Sequence, residues 1–498
     1  MGLSTQQKYR LFEILPGALL WTVLIGLFAL SFVLPLWVII FIIIYDLFWL
    51  FRIVYFSFYL VLSWRKCRKT IKTDWLEKVN ALPGHEEYYH LIFLPTYKES
   101  YEIIKETFLS IARSTYLKDK MIVVLAGEER DAENFSVIAK KIEQQFGSMF
   151  FKFLVTVHPK DLPMERPGKG SNVCYAGHRA KELIDELKLD YKKVIVSTFD
   201  IDTAAHKEYF AYLAYKYITS PDPTKYSFQP IAIYANNIWT SGAIVRVVSF
   251  GTTFWLMNEL AHPERLITFS SHSMSFAALV DVGFWDKNVV SEDSRIFLQC
   301  LTKYHGNYHI EALYIPVYMN TVATSHYWES LKNLYKQQRR WAWGVENIPY
   351  MFTNFAKDKM APWTMRLRHL FNMMEGMFSW ALAPLFIFIF GRLPLYIAGE
   401  DVKQLVFVQN SPFILEDIMR LAMTGIFISA LLSFFLLPPK PRGASRWVYL
   451  TMVLQWLILP VTIIIFGAAP AIDAQTRLMI GKRLGFWVTP KERKNIEL

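Results

Sequence analysis

Hydrophobic residues form an almost unbroken run over residues 14–64 of the chain. One helix needs about 20 apolar residues to cross a bilayer, and Pro35 lies where a tight reversal would divide the run in two. The pattern therefore predicts a transmembrane helical hairpin within residues 1–69. Basic side chains flank the run, so both ends are predicted to face the cytoplasm (Lys8, Arg10, Arg65, Lys66, Arg68 and Lys69).

Two charged residues, Asp46 and Arg52, interrupt the second half of this run. Charges inside a membrane are costly and often functional. Side chains that face neighbouring helices or pair with polar groups also occur at such positions. The sequence leaves both interpretations open.

Between residues 85 and 347 the pattern changes to short β-branched runs, each followed by a polar turn and mostly by an amphipathic stretch. Such alternation predicts an α/β fold, a mostly parallel twisted sheet with flanking helices, whose ligand site lies at the carboxyl ends of the strands. We therefore expect one cytoplasmic domain between transmembrane helices at both ends of the chain. The runs with the strongest strand pattern are residues 91–94, 121–125, 151–155 and 194–197.

The last third of the chain returns to hydrophobic runs. Residues 348–369 are predicted to form an amphipathic interfacial segment, and residues 370–470 to form transmembrane or interfacial helices. We expect residues 370–390 and 421–437 to span the membrane, and residues 447–466 to lie in the interface or re-enter. The alternative is a further crossing near residues 405–415. Residues 471–498 form a basic tail, which predicts a cytoplasmic location.

Composition agrees with two compartments. Of 498 residues, 53% are hydrophobic, too many for a soluble enzyme, and 19% are charged, too many for a bundle of spans alone. The net charge of +11 favours contact with membrane lipids over nucleic acid, because basic residues cluster at the ends of hydrophobic runs. The three cysteines show no zinc or disulfide spacing, which is typical of a reducing cytosol. The sequence predicts a multi-pass protein of the cell membrane.

Two acidic pairs carry candidate chemistry. Asp200 and Asp202 follow a strand, so both carboxylates would project into the crevice and suit Mg²⁺ or Mn²⁺ together with phosphate oxygens. An acidic turn that caps the next helix is the alternative. Glu292 and Asp293 precede a helical stretch, where Asp293 has the position of a helix N-cap.

An aromatic and basic cluster follows the second acidic pair. Gln337, Arg340 and Trp341 have helical spacing, so an indole and a guanidinium group would meet one ligand. An amphipathic helix at the membrane interface is the other interpretation, and the two are compatible. Near the C-terminus, residues 486–491 read F-x-V-T-x-K.

The four segments, D-x-D, E-D, Q-x-x-R-W and F-x-V-T-x-K in this order, resemble the signature of membrane-integrated, inverting family-2 glycosyltransferases such as cellulose and hyaluronan synthases. The resemblance implies a GT-A fold and transfer from a nucleotide sugar to a glycan or lipid-linked acceptor, with UDP-sugars among the donors. Asp293 would be the general base beside Glu292, and Asp200 and Asp202 would hold the metal. Arg340 would contact the diphosphate, and Trp341 with Gln337 would line the acceptor site.

Looser matches extend the implied donor site. A P-T-Y-x-E turn after the first strand would hold the nucleoside, Glu128 stands near the place of a base-binding carboxylate, and Lys169 would contact phosphate or base. His272 is either an acceptor contact or a structural histidine. The F-x-V-T-x-K segment would be a gating loop, a headgroup-bound tail being the alternative. The residues concerned are Thr96, Tyr97 and Glu99 in the turn and Phe486, Val488, Thr489 and Lys491 in the tail.

The predicted function is therefore that of a glycosyltransferase in polysaccharide or glycolipid synthesis. A processive synthase and an enzyme that adds a single sugar are both consistent with the motifs. A membrane transporter or receptor with a non-catalytic nucleotide-sugar-binding domain is the alternative from another class.

Overall fold

The computed structural model describes residues 4–439 and 447–485. The chain begins with two long helices, α1 (Thr5–Val33) and α2 (Pro35–Thr70), separated at Leu34. Pro35 occupies the first position of α2, where its missing N–H removes no intrahelical hydrogen bond. The break between the two helices therefore lies where the sequence predicted it.

An eight-stranded mixed sheet forms the centre of the domain, in the order β3-β2-β1-β4-β7-β6-β8-β5. Its first four strands are parallel, as are β6 and β8, whereas β7 runs antiparallel to both neighbours and β5 antiparallel to β8. The strands are β1 (Tyr89–Pro95), β2 (Met121–Glu128), β3 (Lys152–His158), β4 (Val194–Thr198), β5 (Ala204–Ala205), β6 (Tyr226–Tyr234), β7 (Ser273–Ser275) and β8 (His309–Met319).

Ten helices cover the sheet or lead away from it. All eight residues of β2 are buried, as expected for a parallel strand between helical layers. In register, Pro95 pairs with Ala126 and Phe93 with Thr198, so the carboxyl ends of β1, β2 and β4 are level and form one edge. The helices are α3 (Trp75–Asn80), α4 (Tyr101–Ala112), α5 (Ala132–Phe146), α6 (Lys169–Glu186), α7 (Tyr209–Thr219), α8 (Ala243–Glu259), α9 (Phe276–Asp281), α10 (Glu292–Lys303), α11 (Tyr327–Ala342) and α12 (Asn347–Lys357).

The C-terminal part of the described chain is helical. Among the residues that the structure describes, five stretches are long and apolar enough to cross a membrane: residues 5–33, 35–70, 363–397, 406–436 and 447–479. The stretch 447–479 extends beyond residues 447–466, which were expected to lie in the interface or re-enter. Residues 405–415, the alternative crossing, lie mostly within the first part of the stretch 406–436. The helices are α13 (Trp363–Leu385), α14 (Leu393–Ile397), α15 (Glu400–Lys403), α16 (Val406–Leu436), α17 (Trp447–Leu454), α18 (Leu459–Ile463) and α19 (Ala469–Met479).

The two ends of the described chain contact each other. The Arg10 guanidinium donates to the carbonyls of Leu478 (2.9 Å) and Met479 (2.5 Å), the last turn of α19. Such C-terminal carbonyls have no partner within their own helix, so a cation is favoured there.

In the segment expected to be interfacial, α12 buries Met351 and Phe355 in the same apolar core as the sheet.

Candidate functional site

A cavity of about 1100 Å³ extends from the carboxyl edge of the sheet to the membrane helices. Its wall on the domain side combines segments that are far apart in the chain: the start of α6, the turn after β4, the start of α10 and the end of α11. Seven of the residues predicted to form the site lie in this wall, namely Lys169, Asp200, Glu292, Asp293, Gln337, Arg340 and Trp341.

Three carboxylates surround the ammonium group of Lys169. Its Nζ lies 2.8 Å from Asp200 Oδ1, 3.4 Å from Glu292 Oε1, and 3.0 and 2.8 Å from the two oxygens of Asp293. Sequence analysis assigned Lys169 to phosphate or base. In this structure, which contains no donor, its partners are the acidic groups of the site itself.

Close packing brings α6 to this cluster. Lys169 is the first residue of α6, and a Cβ on Gly170 would lie 2.9 Å from the Asp286 carbonyl and 3.3 Å from Glu292 Cβ. Glycine is therefore needed for the helix start to approach Glu292 so closely.

The cluster raises the pKa of two of its members. Burial alone would lower the pKa of Lys169, but Asp200, Asp293 and Glu292 outweigh it and hold that pKa well above its usual value. Burial, with a further contribution from Asp293, raises the pKa of Glu292 above its usual range. Lys169 is therefore a permanent cation, and Glu292 is protonated more readily than an ordinary glutamate.

A distant glutamate holds the segment that leads into Asp293. Oε1 of Glu346 accepts hydrogen bonds from the backbone N–H of Val290 (2.8 Å) and from both the N–H (2.9 Å) and hydroxyl (2.8 Å) of Ser291. Its Oε2 accepts from the Trp343 indole at 2.9 Å. The backbone N–H groups just before α10 thus find their acceptor on Glu346, a residue of another element, which acts as a helix-capping side chain does.

The neighbouring Asn347 strengthens this connection. Its amide donates to the Ser294 hydroxyl (2.9 Å), and its Oδ1 accepts from Arg295 Nε (2.7 Å). The Arg295 guanidinium lies 4.1 Å from the centre of the Tyr350 ring. Sequence analysis missed these positioning residues. The signal available was a charged residue and an amide directly after an aromatic helix.

The two aspartates of the D-x-D segment have different surroundings. Asp200 lines the cavity, where its Oδ2 accepts from the Ser270 hydroxyl at 2.7 Å. Asp202 is 4% exposed, and its Oδ2 accepts from the backbone N–H of Asn320 at 2.8 Å. Asp200 therefore faces the ligand space, while Asp202 joins the turn after β4 to the end of β8.

The acidic residues suit a divalent cation that arrives with phosphate. Within residues 4–439 and 447–485, no group of three or more His, Cys, Asp or Glu side chains is arranged to hold a metal ion. Mg²⁺ and Mn²⁺ need only one or two carboxylates when phosphate oxygens and water complete the coordination. The carboxylate of Asp200, facing the cavity, has the right chemistry, and Asp202 follows two residues later in the chain.

The end of α11 contributes the aromatic and cationic part of the wall. Trp341 packs against Tyr234 and Phe269, with ring centroids 5.6 and 6.0 Å apart. Gln337 is buried, and Arg340 lines the cavity near Glu292, whose pKa it lowers slightly against the effect of burial. The indole and the guanidinium of the Q-x-x-R-W segment therefore do meet one cavity.

The residues assigned to the nucleoside lie at the ends of β1 and β2, outside the lining of this cavity. Glu99 accepts hydrogen bonds from the Thr96 hydroxyl (2.8 Å) and the Tyr97 N–H (2.5 Å). Glu128 is buried and paired with Arg130, whose guanidinium lies 4.6 Å from the centre of the Tyr97 ring. Burial raises the pKa of Glu128 despite this pair.

His272 is buried beside Asp293. Its side chain is 1% exposed, its Nδ1 is 3.1 Å from the Phe269 carbonyl and 3.7 Å from Asp293 Oδ1, and burial lowers its pKa. The β4–β7 pairing begins at the next residue, Ser273, which keeps His272 at the edge of the sheet. Its role as an acceptor contact or as a structural histidine stays a prediction.

The gating-type residues Phe486, Val488, Thr489 and Lys491 lie outside the described part of the chain. The residues immediately before them, Arg483, Leu484 and Gly485, line the cavity.

Comparisons with known proteins agree with this architecture. A family model described as "Glycosyl transferase family group 2" matches residues 195–470, more than half of the chain. No curated protein matches the chain. Among solved structures, it is similar to the mannosyltransferase PcManGT from Pyrobaculum calidifontis, in complex with GDP-Man and Mn²⁺ (TM-score 0.45, 16% identity, 89% of this chain and 99% of that one).

A second similar structure is S. aureus TarS 1–349 in complex with UDP-GlcNAc (TM-score 0.34, 16% identity, 70% of this chain and 91% of that one). Both structural similarities are distant, and the family match is the finding that identifies the chain. The predicted GT-A-like α/β fold with apolar helices at both ends is confirmed. The chain belongs to glycosyl transferase family group 2.

Proposed function

We propose that this glycosyltransferase inverts the anomeric configuration of the sugar it transfers from a nucleotide sugar to an acceptor at the membrane, with Asp293 as general base. The observation that carries the proposal is the position of Asp293. Its half-buried carboxylate shares one cavity with Asp200, Arg340 and Trp341, and that cavity continues between the membrane helices. A base must be within reach of the acceptor hydroxyl and partly shielded from water, and this position offers both.

The reaction is a direct displacement. Asp293 takes the proton of an acceptor hydroxyl while that oxygen forms a bond to the anomeric carbon. The bond from this carbon to the nucleoside diphosphate breaks, and the diphosphate leaves with the electron pair. Arg340 stabilises the departing negative charge. Asp200, with Asp202, would hold a divalent cation that supplies further positive charge to the diphosphate.

Lys169 adds a condition to this mechanism. While its ammonium is bound to both oxygens of Asp293, the carboxylate cannot accept a proton efficiently. A donor diphosphate offers Lys169 a competing anion, so we propose that donor binding draws Lys169 away and frees the base. Acceptor binding should then depend on prior donor binding, and Lys169→Gln should remove this dependence while it weakens donor affinity.

We also propose that residues 85–347 form the cytoplasmic domain, with residues 1–69 in the membrane, residues 348–369 at its interface and residues 471–498 returning to the cytoplasm. Within residues 370–470, two stretches cross the membrane, and residues 447–466 lie in the interface or re-enter. The basic residues at the end of α2 support this orientation. Protease treatment of sealed inside-out and right-side-out vesicles would test it. Cleavage of the domain only from the outer face of intact cells would contradict the proposal.

The experiment that tests the proposed reaction uses the full chain in lipid nanodiscs, with labelled nucleotide sugars, Mg²⁺ or Mn²⁺ and a membrane extract as the source of acceptor. We expect one donor to be consumed and its sugar to appear in a product of inverted configuration, as measured by NMR. Retention of configuration would refute the assignment of Asp293. No consumption of any donor would favour the non-catalytic transporter or receptor.

A further inference from the structure

The cavity continues from the catalytic carboxylates along one face of α2. Asp46, Trp49, Leu50, Ile53 and Phe56 line it, and their spacing of three or four residues places them on a single side of the helix. At 1.5 Å per residue this face is about 15 Å long. The space between the membrane helices is therefore a continuation of the site and long enough for an extended molecule.

One wall of this membrane part is almost entirely aliphatic. Apart from the methionine sulfurs and the hydroxyl of Thr462, which donates to the Leu459 carbonyl at 2.8 Å, the contributing side chains from α16 and α18 are aliphatic: Ile418, Met419, Ala422, Met423 and Ile426, with Leu459, Pro460 and Ile463. A sugar hydroxyl placed against such a wall would lose its hydrogen bonds to water without replacement, at a cost of roughly 1–3 kcal/mol each. A hydrocarbon chain would gain from the same contact.

Charged pairs line the same cavity. Arg52 pairs with Glu375, which also accepts from the Ser379 hydroxyl at 2.7 Å, and Arg265 pairs with Glu259 at 2.9 Å. These four charged side chains all line the cavity and compensate one another. Arg265 stands three residues before Thr268, whose hydroxyl donates to the Asp293 carbonyl at 2.5 Å. Hydroxyls near this cluster would find both donors and acceptors.

We infer that the acceptor is a lipid-linked sugar. Its hydrocarbon chain lies against α16 and α18, and its sugar head passes the cluster of Arg52, Glu375, Arg265 and Glu259 to reach Asp293. The inference rests on the proposed function and makes it more specific, because it selects a lipid-linked acceptor over a free polysaccharide. The cavity is polar where the sugar would lie and aliphatic where the chain would lie.

Asp46 makes the inference easy to contradict. Its carboxyl is 4% exposed, and its Oδ1 has no hydrogen-bond partner among the described residues. Beside a hydrocarbon chain this oxygen stays unsatisfied, so Asp46→Leu should strengthen binding of the chain. If a glycan occupied this depth, its hydroxyls would bind Asp46, and the same substitution would weaken binding.

The experiment uses the full chain in nanodiscs and a hexadecyl β-glucoside with a photoreactive diazirine near the end of its chain. We expect light-dependent labelling on the cavity face of α16, competed by unmodified hexadecyl glucoside but not by glucose or soluble oligosaccharides. Ala422→Trp, which fills the cavity, should reduce labelling at least fivefold. Phe427→Trp is the matched control, because Phe427 is exposed on the same helix and lies outside the cavity wall.

Size-exclusion profiles establish that each variant is folded. Labelling that is unchanged in Ala422→Trp, or weakened in Asp46→Leu, would overturn the inference, as would efficient transfer to a soluble oligosaccharide that Ala422→Trp leaves unaffected. Labelling needs neither donor nor turnover. A protein that binds the probe yet transfers no sugar would refute the proposed function alone.

Discussion

The two sides of the crevice are held together in different ways. On the side proposed to bind the nucleoside, Glu99 bonds to Thr96 and Tyr97, three and two residues away, and Glu128 pairs with Arg130. On the side of Asp293, the contacts are remote in sequence: Ser291 bonds to Glu346, and Lys169 reaches Asp293 across 124 residues. The bonds of Glu99 and Glu128 are thus local, whereas those around Asp293 depend on tertiary packing.

We expect this difference to separate residues that affect donor binding from residues that affect the rate of sugar transfer. A local turn forms with its own strand, so a substitution there should affect how well a donor binds. A base positioned by remote contacts depends on the correct packing of several elements, and small displacements of reacting groups are costly to the rate. Substitutions on the remote side should therefore change turnover and stability together.

The largest effect is expected for Asp293→Asn. The substitution keeps the shape of the side chain but removes the base, so transfer should fall by about a hundredfold or more. Donor binding should persist, because the nucleoside side is intact. Initial rates of transfer and donor affinity by calorimetry measure the two quantities separately. Near-normal transfer by the variant would show that another group is the base.

Next in size is Glu346→Ala, which tests remote positioning. It leaves the N–H groups of Val290 and Ser291 without their acceptor, at a cost of about 1–3 kcal/mol for each buried donor left unsatisfied. We expect the melting temperature to fall and kcat to drop about tenfold, with a smaller change in donor KM.

Glu346→Gln is the matched control, because it keeps one acceptor oxygen and should recover much of the rate. If the alanine and glutamine variants have equal rates and differ only in stability, Glu346 does not position the base.

The two aspartates of the D-x-D segment should respond differently. Asp200→Ala removes the carboxylate that faces the cavity, so we expect Mn²⁺-dependent donor affinity to fall about tenfold. Asp202→Ala should weaken it as well, but also lower the melting temperature, because the Asn320 N–H loses its acceptor. Donor titrations at several Mn²⁺ concentrations distinguish the variants. Unchanged affinity in both would exclude the D-x-D segment from metal binding.

On the side proposed to bind the nucleoside, Glu99→Gln should raise donor KM about threefold to fivefold and leave kcat nearly unchanged, since both local hydrogen bonds go to Oε2 and weaken when the side chain loses its charge. Steady-state kinetics with saturating acceptor provides the measurement. A drop in kcat equal to that of the Glu346 variants would remove the distinction between the two sides.

The smallest change is expected from truncation after Gly485. The missing residues include the gating-type motif, so turnover should fall a few-fold, more than donor affinity does, while the protein remains folded and membrane-inserted. A tail that only binds headgroups predicts normal turnover in nanodiscs of neutral lipid. Comparing neutral and anionic nanodiscs therefore separates gating from surface binding.

The sequence predicted the features that depend on local patterns. The first four strands occur where β-branched runs indicated them, because each run is long enough to fill a buried strand. The order of the motifs also allowed Asp200, Asp293 and Trp341 to be assigned to one crevice, and the structure brings them to one cavity.

Contacts between residues that are distant in the chain could not be predicted from the sequence. Glu346 reads as one acidic residue after an aromatic helix, and its role becomes visible only when the turn after α11 lies beside Ser291. Arg52 pairs with Glu375, which lies 323 positions away in the chain. The charge of Arg52 inside a hydrophobic run therefore has a partner that no local sequence pattern could identify. His272 was ambiguous for the same reason, since burial is a property of the assembled sheet.

The contact of Arg10 with the last turn of α19 also bears on how the protein is made. Arg10 is synthesised 468 residues before Leu478 and 469 residues before Met479, whose carbonyls it binds. Arg483 to Gly485, which follow them, form part of the cavity wall. During synthesis, the start of α1 therefore lacks this partner until α19 has been made. A chain that has not yet reached Gly485 has an incomplete cavity wall.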